Sequence, residues 1–279
     1  MNAIPAKPIR SIEKTGPAKY FTKLDREILR VLADWYLLDT ITLAELLGRQ
    51  PGAVRYRLRQ LLKAGYLQRV EQKFDYSFWL LDLAGIHKAK HLFPNPDESG
   101  FLCDKVERRP EWSLKNKEHD LEILQLRLAF HRRHRGSLVF WKQWPSEIND
   151  RFESGAKTYY VEPDAFFGVN FGGRFTHAFL EHQRTNARKD SLDKKAEAYR
   201  AYFESGEFEK NWGLKHPKVV FTFRSGETVQ NLCKKWSRGS AGSAFWITTH
   251  WQFLTNPTCA IFRAPPDRED ERHSFLGRI

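Results

Sequence analysis

The sequence predicts an α+β chain in two parts, a trihelical unit closed by a β-hairpin and a larger α/β unit built on one mixed sheet. Three observations predict it. Apolar residues recur at helical spacing between Thr22 and Gly65, two short strand patterns follow at once, and from Gly136 onward strand patterns alternate with helical ones. With 279 residues, 41% of them hydrophobic and 14% aromatic, the chain can fill a substantial core, which excludes disorder as its whole description.

The first helix is read from Leu24, Ile28, Val31, Leu32 and Trp35, which share a face while Lys23, Arg26, Glu27 and Arg30 point elsewhere. Thr42-Leu-Ala-Glu45 is a capping-box pattern and starts a second, short helix that ends at Gly48. Pro51, suited to a first turn, opens the third helix, and Gly65 stops it. Its apolar face is Val54, Leu58, Leu61 and Leu62, and its other faces are basic, with Arg55, Arg57, Arg59 and Lys63 on the helix and Arg49 nearby. Strands over 66–71 and 76–81 follow, joined by a turn holding Lys73 and Asp75, and then a fourth helix over 82–92. Helix, helix, helix, hairpin is the winged helix-turn-helix order. A basic helix alone is usually a solvated face, but in this order it reads as a major-groove element, with Arg49, Arg55, Arg57, Arg59, Lys63 and Lys73 as the expected DNA contacts.

Charge points the same way. Lys and Arg number 46 against 34 Asp and Glu, a formal net charge of +12, so a polyanionic partner is expected and double-stranded DNA is the leading candidate. No run approaches 18 apolar residues and residues 1–20 lack a signal-peptide core, so the expectation is a cytoplasmic protein without membrane insertion. Cys103, Cys233 and Cys259 are odd in number and far apart, which argues for reduced structural thiols. The pairs His131/His134 and His177/His182 are not metal signatures by themselves.

The expected organisation is a basic arm over 1–20, the winged-helix unit over 21–93, a linker over 94–110, the mixed-sheet unit over 111–264 and a tail over 265–279. A long helix over 115–133 opens the second unit. Then come strands LVFWKQW, YYVEPDAFFGV and FTHAFLEHQ, a helix over 191–203, the strand KVVFTF, a helix over 229–236 and the strand AFWITT. Gly168, Gly172 and Gly173 mark a turn that makes the second and third of these strands antiparallel neighbours. Side chains alternate along a strand, so Glu181 and Gln183 share a face and the neighbouring strand can bring Asp164 beside them. Two carboxylates and an amide oxygen there form a hard-oxygen pocket suited to Mg²⁺ or Mn²⁺.

The Pro163-Asp164 turn, the strand ending in Glu181-x-Gln183, and the next helix with Lys195 four residues before Tyr199 resemble the replication-relaxation family, which includes the MobC-type plasmid relaxases. By element order the resemblance spans residues 22–223. It implies a restriction-endonuclease-like fold of the PD-(D/E)xK kind behind a winged-helix DNA reader. Carried over by position, Asp164 and Glu181 are metal ligands and Gln183 stands where many such nucleases place a lysine. Lys195 then supplies the missing amine, with Lys194 the less favoured neighbour, and Glu118 adds a carboxylate from the first helix of the unit. The implied activity is a site-specific, metal-dependent nick at a plasmid or mobile-element origin of transfer or replication, with other relaxosome proteins or a coupling protein as partners.

A second reading is a non-catalytic DNA-binding regulator or accessory protein, in which Pro-Asp is an ordinary turn and Glu181 with Arg184 an ion-paired strand edge. The nucleophile stays open between water and a tyrosine such as Tyr159 or Tyr160, which as strand aromatics also fit a core. Trp141, Trp144, Trp246 and Trp251 likewise read as strand core before base-stacking residues. Ser154-Gly-Ala-Lys157-Thr158 lacks the upstream glycine of a phosphate-binding loop, and no His-x-His is present to hold a metal as in histidine-based relaxases.

Overall fold

The computed structural model describes residues 21–71, 77–94, 109–133, 136–143, 150–184, 189–215, 217–236, 244–257, 262 and 274–275. The arm, Lys73, most of the linker, Trp144 and most of the tail lie outside the described residues. The chain divides at Asn116/Lys117 into two compact units. Among the described residues no helix is long and apolar enough to cross a membrane.

The first unit runs α1 (Lys23–Trp35), β1 (Leu38–Asp39), α2 (Thr40–Leu47), α3 (Pro51–Lys63), β2 (Leu67–Glu71), β3 (Ser77–Leu81) and α4 (Leu83–Leu92). Its three strands form an antiparallel sheet in the order β1-β3-β2. Ile28, Leu32, Leu43, Val54, Leu58, Leu61, Trp79 and Ile86 are buried, so the apolar faces read from spacing do meet in one core. The second helix starts earlier than Thr42-Leu-Ala-Glu45 suggests. Asp39 is the cap, accepting from the backbone of Ile41 at 2.8 Å and Thr42 at 3.0 Å, while the Thr42 hydroxyl donates back to it at 2.6 Å. A carboxylate three residues upstream takes the free amides first.

Arg57 is withdrawn from the exposed basic face expected of α3. Its guanidinium Nε donates at 2.8 Å to Asp25, whose side chain is fully buried and which also closes the capping box of α1 by accepting from the Thr22 amide at 2.6 Å. Asp25 therefore ties α3 to α1. Arg55, Arg59 and Lys63 do lie exposed, and Tyr56 joins them, 60% exposed. Arg49 is also exposed, with Glu27 at 3.4 Å.

The second unit begins within α5 (Arg109–Arg133), six residues longer at its start than expected from Lys115. There follow β4 (Leu138–Gln143), β5 (Asp150–Ser154), β6 (Lys157–Val161), β7 (Ala165–Phe171), β8 (Arg174–Gln183), α6 (Lys189–Glu204), α7 (Glu207–Trp212), β9 (Lys218–Phe223), α8 (Gly226–Trp236), β10 (Phe245–Thr249) and α9 (His250–Thr255). The sheet is mixed, in the order β10-β9-β8-β7-β4, with β8, β9 and β10 parallel and β7 and β4 antiparallel to their neighbours. Gly172 and Gly173, at φ 59° and 86°, form the two-residue turn between β7 and β8, where both positions need the left-handed region.

The segment YYVEPDAFFGV is not one strand. It breaks at Glu162-Pro163-Asp164, leaving β6 paired with β5 in a separate two-stranded sheet and β7 in the main one. Proline lacks the amide a continuous ladder needs. Ser154-Gly-Ala-Lys157 is the tight turn of that hairpin. Both faces of the main sheet are covered. Phe166, Phe179 and Phe221 pack with Ala196, Tyr199 and Tyr202 of α6 and Leu232 and Trp236 of α8. Ala178, Leu180 and Val220 pack with Ile123, Leu126 and Phe130 of α5 and Phe253 of α9.

The Asp25 pairing sets an expectation for stability. Arg57→Ala leaves a buried carboxylate without its cation and should lower unfolding stability by about 3 kcal/mol in urea titration, whereas Arg59→Ala on the exposed face should stay within about 0.5 kcal/mol.

Candidate functional site

The break at Pro163 places Asp164 at the start of β7, and its backbone amide donates to the Leu180 carbonyl of β8 at 2.9 Å. The register pairs Ala165 with Leu180, so Asp164 stands at the level of Glu181 on the next strand. Its carboxylate accepts from the His182 amide at 2.6 Å, continuing the ladder by a side chain where the β7 backbone turns away. Asp164 is 18% exposed and Glu181 is 1% exposed. β8 is the middle strand of the five, so Glu181 is no edge residue. The sheet brings together the two carboxylates expected from sequence.

Alternation along β8 decides what meets what. Phe179 and Glu181 face α6, while Leu180 and His182 face α5 and α9. On α6, Lys195 and Tyr199 are one turn apart and both reach Glu181: the Lys195 ammonium is ion-paired with one carboxylate oxygen, and the Tyr199 hydroxyl donates to the other at 2.7 Å. Gln183, half-buried, follows on the same face of β8, opposite Phe223. Lys194 is exposed beside Lys195.

Glu118 has another partner. Its side chain is 71% exposed and ion-paired with Arg184. The residue of α5 that reaches Asp164 is His119. Its Nε2 lies 3.5 Å from the Asp164 carboxylate and 3.1 Å from the His182 carbonyl oxygen. The sequence hides this, because a lone histidine among the charges of a helix has no pattern to mark it. On the other face, His182 Nε2 is 2.6 Å from Glu122, and Nδ1 is 2.8 Å from the Thr222 hydroxyl. Thr222, His182 and Glu122 thus line up as hydroxyl, imidazole and carboxylate, yet Thr222 is 0% exposed and no substrate can reach its oxygen. The chain is structural, and Arg224 and Arg184 complete it at Glu122.

The electrostatics follow from this geometry. Burial opposes charge on His119, but the Asp164 carboxylate and the His182 carbonyl outweigh it and lift the ring to about 8. Burial pushes Asp164 up, and His119 with Lys195 brings it below the usual carboxylate range. Burial lifts Glu181, with Lys195 pulling against it. Burial also opposes charge on Lys195, and Glu181 with Asp164 raises it above the ordinary amine range, so it stays cationic. Burial and neighbouring His182 drop His250 to about 4.

The donors present are hard oxygens: the two carboxylates and the main-chain carbonyl of His182. The Asp164 carboxylate and that carbonyl converge on His119, and Glu181 holds Lys195, so protein cations stand where a small metal ion would find its oxygens. Among the described residues no group of three or more His, Cys, Asp and Glu side chains is set to hold a metal ion. A two-carboxylate set is nonetheless of the kind that Mg²⁺ accepts when substrate phosphate and water complete its shell.

His119 carries a pH expectation. A folded value near 8 against an ordinary 6.5 means the charged ring adds stability that is fully present below pH 6.5 and is lost as pH rises through 8, on the order of 2 kcal/mol. In EDTA, the His119 ring resonance should titrate near pH 8, and Asp164→Asn should move it to 6.5 or below.

The family model described as replication-relaxation matches residues 29–216. No curated protein matches the chain. Among solved structures, NadR in complex with 4-hydroxyphenylacetate is 20% identical, over 42% of this chain and 76% of that one, at a TM-score of 0.24. The restriction endonuclease FokI is 11% identical over 83% of this chain, at TM-scores of 0.31 alone and 0.29 bound to DNA. The chain covers 43% of FokI. The family match spans about two thirds of the sequence, including the start of β7, all of β8 and α6, and the chain therefore belongs to the replication-relaxation family.

Proposed function

We propose that this protein processes DNA, with the first unit acting as a winged helix that docks α3 on duplex DNA and the second as a metal-dependent nickase of the restriction-endonuclease-like, MobC-type kind. The observation that carries the reading is the convergence of Asp164, Glu181 and Lys195 at the ends of neighbouring strands and α6. Membership in the replication-relaxation family supports a role at an origin of transfer or replication. The exposed Arg55, Arg59, Lys63 and Arg49 suit phosphate and base contacts, with Tyr56 among them.

Asp164, Glu181 and the His182 carbonyl would hold Mg²⁺ or Mn²⁺, with Glu118 left to its pairing with Arg184. Bound there, the ion supplies positive charge at the scissile phosphate and a more acidic water. Lys195 has no acceptor capacity while it is cationic, so its part is to stabilise charge on a phosphate oxygen once the DNA draws it from Glu181. Tyr199 keeps Glu181 oriented through that exchange. His119, protonated at neutral pH, adds a second donor beside Asp164. The attacking group is water or a tyrosine hydroxyl.

One observation favours a non-catalytic regulator instead. Both oxygens of Glu181 already have partners, Lys195 and Tyr199, and a carboxylate so engaged serves a scaffold well.

The two readings separate on supercoiled plasmid carrying the parental origin, incubated with Mg²⁺ or Mn²⁺ and with EDTA. The nickase produces open circles only with metal, and Asp164→Asn or Glu181→Gln lowers the rate by about 100-fold or more while gel-shift affinity is retained. Lys195→Ala should also slow nicking. DNA binding that depends on Arg55 and Arg59, with no metal-dependent open circles from the wild type, would sink the nickase and leave the regulator.

A further inference from the structure

Among the described residues the β5–β6 hairpin pairs with no other strand, and one of its faces packs on the core through Phe152, Tyr159 and Val161. Alternation turns Tyr160 the other way, and it is 60% exposed. Its cross-strand partner Arg151 lies over the ring at 5.8 Å, which steadies the ring while most of it stays in water. This corrects the expectation of a buried aromatic. Beside it runs a groove of about 660 Å³ between the hairpin and α6, lined by Lys157, Tyr160, Ser191, Lys194, Lys195 and Glu197 among others. Its acid, Glu197, is paired with Lys157 at 3.0 Å and accepts from the Tyr159 hydroxyl at 3.1 Å. Lys194 has no ion-pair partner among the described residues, so the lining is left net positive. Lys195 is shared, lining the groove while its ammonium rests on Glu181, so the groove leads to the candidate site.

We infer that this groove binds an unpaired nucleic-acid strand, with a base stacked on Tyr160 and phosphates facing Lys157 and Lys194. An exposed aromatic face takes a base that is out of its helix, whereas a duplex keeps its base faces covered. The volume suits about a nucleotide, and the lysines suit the backbone between that base and the carboxylates. The inference rests on the DNA-processing reading of the second unit and refines it: the strand reaches Asp164 and Glu181 unpaired, across α6.

The test uses the full chain in EDTA and a fluorescein-labelled oligothymidylate of about 12 nucleotides, followed by anisotropy, with a duplex of the same length as reference. Tyr160→Ala should weaken oligothymidylate binding about tenfold, Tyr160→Phe should hold it within about twofold, and duplex binding should not change. Lys194→Ala should lower the salt slope for the oligothymidylate by about 0.7. Circular dichroism checks that the variants fold, as expected for an exposed side chain. Unchanged oligothymidylate affinity in Tyr160→Ala, equal losses for single strand and duplex, or a Tyr160→Phe variant as weak as the alanine one would each overturn the proposal. No metal or cleavage enters the readout, so a failure of nicking leaves this result intact and a failure here leaves the nickase assay intact.

Discussion

The carboxylate of Glu181 sits on the middle strand of a sheet covered on both faces, where an isolated negative charge is costly. It is tolerated because α6 delivers a cation and a hydroxyl from one helical turn, Lys195 to one oxygen and Tyr199 to the other. That requirement sets the rotation of α6 on the sheet and thereby the burial of Ala196 and Tyr202. It also sets the outer wall of the groove beside the β5–β6 hairpin, since Lys194 and Glu197 belong to the same helix.

The next residue does the same work on the opposite face. His182 meets Glu122 of α5 and Thr222 of β9, and Glu122 in turn gathers Arg224 and Arg184. Two consecutive residues of β8 thus anchor the helices on both sides of the sheet, because strand side chains alternate. Between them the backbone is equally engaged, with the His182 amide on Asp164 and its carbonyl facing His119. A cluster held this closely is preorganised, each charged group already facing a partner.

The net charge of +12 is unevenly employed. Arg57, Arg184, Arg224 and Lys195 neutralise carboxylates within their own units. Those pairings spend their charge inside the fold. Exposed cations are spread over both units, and Arg55, Arg59 and Lys63 on α3 and Lys194 on α6 are among them. Each set has an exposed tyrosine close by in sequence or space, Tyr56 and Tyr160. Charge and aromatic surface recur together in both units, a combination that nucleic acid uses and a merely solvated face does not need.

Much was legible in the sequence because the signals were local. Helical spacing, Pro51, Gly48 and the Gly172-Gly173 turn depend on neighbours a few residues away, and they placed α1 to α3, the first unit's hairpin and the β7–β8 pair. Alternation even placed Asp164 level with Glu181. Periodicity could not show which cation each carboxylate would choose. Arg57 reads as another exposed arginine until Asp25, 32 residues earlier, is seen buried against it. Glu118 reads as the acid of its helix, but the twist of α5 gives Arg184 to Glu118 and Asp164 to His119. The strand break at Pro163 had a local sign in the Pro163-Asp164 turn, but that the β5–β6 hairpin would leave the main sheet and expose Tyr160 was not written there. Local backbone preference is written residue by residue, whereas the partner of a buried charge is chosen by which distant element the packing brings within reach.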